Sequence, residues 1–226
     1  MSLVILSFPL ILVLYFACII WVLQLMNAKA TQVLQDYSAL FYGLLLLALI
    51  CGLATQPDGR WMPATPQIPQ SWQTIWLCLL ALLSGYGLFK AEGWLIAKLS
   101  SGKAQAHQAV RHQAGHWWIL PVMVLIVVIE ELIWRGYLPS NINEQWQIGG
   151  LAAAITASVA FGLHHLFYGW IHVLLKSGYG LLWLLFYQAT GTLWAPVLSH
   201  LAFNVAVYYC RDKNAVLSPC PEKKAV

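Results

Sequence analysis

The chain has 226 residues, 60% of them hydrophobic and only 9% charged, and its 12 Lys and Arg against 8 Asp and Glu leave a formal charge of +4. A soluble domain carries about 25% charged residues, so this composition, with a mean hydropathy of +0.69, excludes a water-soluble globule. A small, scattered positive charge also excludes a nucleic-acid surface.

What remains is an all-α, polytopic transmembrane helix bundle of about seven spans, with no room for a separate soluble domain. The first apolar run, Leu3 to Leu25, lacks a positive leader and a small-residue cleavage site, and reads as a retained span. A second run covers about Ser38 to Ala54, followed by PDGRWMPATPQIPQ, whose prolines mark a loop. The third span is about Trp72 to Phe89. After it, the amphipathic first half of the polar segment Lys90 to His116 reads as lying along the membrane surface. The fourth span is about Trp117 to Leu138, closed by Pro139, since proline discourages continued helix. A fifth runs from about Gly149 to Phe167, and the last two from His172 to Ala189 and Leu193 to Tyr209 across the turn TGT.

This divides the chain into residues 1–116, three spans with a basic segment; 117–209, a four-span core; and 210–226, a polar tail. With seven alternating spans, Lys29, Lys90, Lys98, Lys103, Arg111, Arg211, Lys213, Lys223 and Lys224 fall on one side and Arg60 alone on the other. The positive-inside rule then puts the amino terminus outside and the carboxy terminus in the cytosol. The five cysteines show no CxxC or other metal-type spacing.

Inside the fourth span, VVIEELIWRGYL carries Glu130, Glu131 and Arg135. Each charge at the centre of a membrane helix costs roughly 2.5–3.5 kcal/mol on insertion scales. Glu131 and Arg135 are four residues apart on one helix face and can pair, as a buried packing network would. Glu130 is rotated about 100° away. A spare carboxylate at that depth requires a water-filled cavity, which suits proton chemistry. In the fifth span, FGLHHL places Phe161 four residues before His165, so the ring can wall one side of that imidazole while His164 points elsewhere. In the seventh, LSHLAFN sets His200 and Asn204 on one face. Glu130, His165, His200 and Asn204 all fall in the middle third of the bilayer, where they can meet.

Read as EExxxR, FxxxH and HxxxN, these motifs stand in the order and approximate spacing of the CAAX protease and bacteriocin-processing family, also called the Abi family. The chain resembles that family over about Trp117 to Tyr209, and YQATGTLWAPVLSHLAFN resembles its last core spans. The resemblance implies an intramembrane glutamic endopeptidase, cleaving near the carboxy-terminal end of a membrane-anchored protein or peptide. In it Glu130 and His165 activate water, His200 and Asn204 form the oxyanion hole, and Glu131, Arg135 and Phe161 support the site. The residue types agree: hydrolysis without a nucleophilic side chain needs a base for water and donors for the oxyanion, and Asn204 and His200 carry such donors.

A zinc metalloprotease would use similar residues, but HExxH is missing. No metal is required, and zinc is left open. A proton-coupled transporter would show inverted repeats or paired broken helices, and the sequence shows neither. A non-catalytic immunity or scaffold protein would tolerate loss of Glu130. The short, loop-poor chain reads as a multi-pass protein of a prokaryotic inner membrane.

Overall fold

A computed structural model describes residues 71–99 and 119–215, with isolated helical positions between 11 and 47. Most of the first two predicted spans, the proline-rich loop and most of the basic segment lie outside the described residues. Among the described residues every regular element is helical.

Helix α1 spans Trp72–Leu99 and opens on Ser71, whose Oγ accepts the Thr74 N–H at 3.2 Å, the bond an N-cap serine makes. It continues ten residues past the predicted end at Phe89, because nothing from Lys90 to Leu99 except Gly93 opposes helix. Lys90 to Leu99 is therefore the end of this helix and not a separate element. At 28 residues it is about 42 Å long. Among the described residues it is the one helix long and apolar enough to cross a membrane, by length and composition.

Helix α2, Ile119–Glu131, passes through a π-helical turn, Leu132–Tyr137, into α3, Leu138–Trp146. The expectation that Pro139 ends the helix is corrected. Proline lacks an N–H and crowds the carbonyl four residues back. The π turn opens the ladder just ahead of it, with the Leu138 N–H donating to Ile133 five residues earlier, and Pro139 enters in the first turn of α3, where a missing donor is tolerated.

Helix α4, Gly150–Leu163, ends before the histidine pair. The chain then tightens, with the His165 N–H donating to the Gly162 carbonyl at 2.9 Å, and makes a 3-10 turn at Leu166–Tyr168. Helix α5 is Trp170–Thr190, and after Gly191 at φ +64° helix α6 covers Trp194–Ala215.

Small residues let these helices meet. A Cβ on Gly85 of α1 would lie 2.0 Å from the Ser199 carbonyl of α6, and one on Gly162 of α4 would lie 2.1 Å from Ser177 Oγ of α5. Close backbone approach of this kind is how helices associate in lipid, where no hydrophobic drive separates helix from solvent. Ala81 packs with Ala195, Gly85 with Ser199 and Phe89 with Phe203, so α1 and α6 run parallel. Trp183 meets Ser199 and Tyr179 meets Phe203, so α5 is antiparallel to them. Trp134, Phe161, Tyr179, Trp183 and Phe203 belong to the main buried cluster. Trp72, Trp76, Leu83, Leu151 and Leu174 stand exposed, a pattern that suits helices whose outer faces meet lipid.

Candidate active site

The fold buries Glu130, Glu131 and Arg135 almost completely. Arg135 Nη1 lies 3.1 Å from Glu131 Oε1, the predicted pairing of residues four apart. The guanidinium also sits over the Phe161 and Trp183 rings, 4.4 and 4.9 Å from their centroids. A cation flanked by one carboxylate and two π faces replaces much of its lost hydration.

Glu131 serves a second partner. His200 Nδ1 is 2.7 Å from the same Oε1. With the carboxylate ionised beside Arg135, Nδ1–H donates. His200 Nε2 then lies 3.5 Å from Glu130 Oε2, and His164 Nδ1 lies 3.8 Å from Glu130 Oε1. The expectation of one neutralised and one spare glutamate is thus corrected: Glu130 has an imidazole beside each oxygen, and His200 links the two carboxylates.

His164 does not point elsewhere. Its backbone is still helical, with its N–H donating to the Ala160 carbonyl at 3.1 Å, yet both histidines line the same cavity, their ring centroids 5.0 Å apart. His165 keeps its predicted contact with Phe161, ring centroids 4.9 Å apart. Its Nδ1–H donates to the Phe161 carbonyl at 3.0 Å. A carbonyl can only accept, so this bond puts the proton on Nδ1 and leaves Nε2 as the basic nitrogen.

The cavity is about 190 Å³, and Glu130, Phe161, His164, His165, His200 and Asn204 all line it. The structure therefore brings together the four residues singled out from three separate helices, with Phe161 between them. Glu131 and Arg135 stand behind.

Other residues of the site carried no usable signal in the sequence. Trp183 stacks on His200 with centroids 4.1 Å apart and planes at 21°, and its indole N–H donates to Ser199 Oγ at 2.9 Å. Ser84 of α1 reaches the same hydroxyl at 3.0 Å. At another part of the cavity wall stand Glu92 of α1 with His172 and Lys176 of α5. Lys176 Nζ donates to Glu92 Oε2 at 2.8 Å, and His172 Nδ1 is 3.2 Å from Oε1. Glu92 is the one acidic residue of α1, and the 84 residues separating it from Lys176 hid their pairing. Among the described residues no group of three or more His, Cys, Asp and Glu side chains is placed to hold a metal ion.

Residues 112–206 match the family model described as type II CAAX prenyl endopeptidase Rce1-like. This is the CAAX protease family that the three motifs resemble, and the match encloses all of them while leaving α1 outside. It covers less than half of the chain. No curated protein and no solved structure gave a match.

Proposed function

We propose that the Rce1-like segment, residues 112–206, forms the catalytic core of an integral-membrane endopeptidase of the glutamic type, acting near the carboxy-terminal end of a membrane-anchored protein or peptide. The observation that carries this reading is the shared cavity of Glu130, His165, His200 and Asn204, four residues that all lie within the matched segment.

In this mechanism a water in the cavity gives its proton to Glu130, with the unprotonated Nε2 of His165 as its second acceptor. Attack on the scissile carbonyl places negative charge on its oxygen. The Asn204 amide N–H donates to that oxygen, as does His200 through Nε2 when the ring is doubly protonated. His200 is held for this by Glu131 at Nδ1 and by the Trp183 face. The proton held by Glu130 then passes to the leaving amine. Such donors matter because they are fixed before charge develops, in surroundings with little water to screen them. The remaining parts of the reading rest on the sequence: the charge asymmetry supports an amino terminus outside and a carboxy terminus in the cytosol, and the short, loop-poor chain supports a multi-pass protein of a prokaryotic inner membrane.

The test compares peptides in membranes of cells carrying the unaltered chain, Glu130→Gln and His165→Ala, each with and without a chelator. The expected result is that products vanish in both variants and that the chelator changes nothing. Activity lost to the chelator and restored by added metal would replace the glutamic mechanism with a metal-dependent one. Identical peptide profiles in all three would remove the peptidase reading altogether.

A further inference from the structure

The Glu92, His172 and Lys176 cluster is as buried as the catalytic one, yet neither motif nor mechanism uses it. A buried ion pair is a poor device for holding helices together, because apolar side chains of similar size would serve as well without the desolvation cost. At membrane depth an ionisable cluster on a cavity wall points to a functional site.

Its position relative to the catalytic groups follows from the packing of α5 on α6. Trp183 stacks on His200, Tyr179 meets Phe203 one turn along, and Lys176 lies a further three residues away with Nζ 3.7 Å from the Phe203 centroid. Seven helical residues separate Trp183 from Lys176, a rise of about 10 Å. Extended peptide spans that distance in about three residues. The cavity joining the two clusters is about 190 Å³, below the roughly 300–1,000 Å³ of ordinary ligand pockets, so it suits the short end of a chain better than a passing one.

The charges say which end. Glu92 brings one carboxylate against the Lys176 ammonium and the His172 ring nitrogen. An arriving carboxylate adds a second acceptor for the ammonium's three N–H donors; an arriving ammonium would add a second cation beside Lys176, with Glu92 as the single carboxylate of the cluster. The Phe203 and Tyr179 rings beside Lys176 keep the surroundings apolar, where such a balance counts most.

We infer that Lys176 and His172, held by Glu92, form the subsite for the terminal carboxylate of the substrate chain. This rests on the peptidase reading and adds the chemistry by which the substrate's end is recognised. It also gives α1, which lies outside the family match, a direct part in substrate selection.

The experiment measures binding, not turnover. A fluorescent hexapeptide with an acylated amino terminus and apolar last residues is made as the free acid and as the carboxamide, and titrated into the full chain in nanodiscs. The unaltered chain is expected to bind the acid about tenfold more tightly than the amide. The double variant Glu92→Gln, Lys176→Met removes both charges, so neither is orphaned, and is expected to bind the two peptides equally with unchanged melting. Equal binding by the unaltered chain, or a full acid preference kept by the double variant, overturns the inference. An acid preference without any cleavage would leave the subsite standing and remove the peptidase reading instead.

Discussion

The two ends of the cavity are built by different means. At one end, Glu130, Glu131 and Arg135 come from one helix and meet His200 from another, all within the family-matched segment. At the other, Glu92 of α1 meets His172 and Lys176 of α5. The first end links two carboxylates through one imidazole, with Arg135 on one carboxylate and His164 beside the other, an arrangement for moving a proton. The second sets one carboxylate between an ammonium and an imidazole, an arrangement for holding an anion. Burial alone does not separate chemistry from recognition; the number of carboxylates and the groups that link them do.

That division is sharpest where a change at each end alters a different kinetic constant. Glu130→Gln keeps the shape and removes the base, and should lower kcat by about 10²–10⁴-fold with melting preserved, measured as the rate of peptide release. Asn204→Ala takes away one oxyanion donor and should cost about 10²–10³-fold in kcat in the same assay. The paired Glu92→Gln, Lys176→Met change should raise KM about tenfold and leave kcat nearly intact. If it lowers kcat as Glu130→Gln does, the two ends are one machine and the comparison fails. Gly85→Ala should act on neither constant directly: the new methyl would meet the Ser199 carbonyl, and overpacking of this kind costs about 1–3 kcal/mol, read as a lower melting temperature.

How far the sequence could be read follows the same line. The Glu131–Arg135 pair and the His200–Asn204 face were legible because helical periodicity relates residues four apart. Phe161 and His165 do meet as expected, but through the turn that ends α4. His164 reaches Glu130 as well, from a backbone that is still helical; a helical wheel gives the direction of a side chain and not which neighbouring helix its ring meets. Pro139 misled for a related reason: its penalty is local, and the π turn ahead of it absorbs that penalty. Glu92 stayed hidden because its helix was cut short at Phe89, and because no periodicity connects a residue of α1 with one of α5. The count of seven spans rests on hydropathy; among the described residues α1 alone meets the length-and-composition test.

The widened turn from Leu132 to Tyr137 amounts to one extra residue spliced into an otherwise regular rod, directly after the two glutamates. Closing that turn to regular α-helix with every residue kept would swing everything beyond by about 100° and move it by about 1.5 Å, taking Tyr137 and Asn141 out of their buried places while leaving Glu130 and Glu131 where they are. The insertion thus works as a joint: it uncouples the direction in which the acidic pair faces from the direction in which the following helix packs.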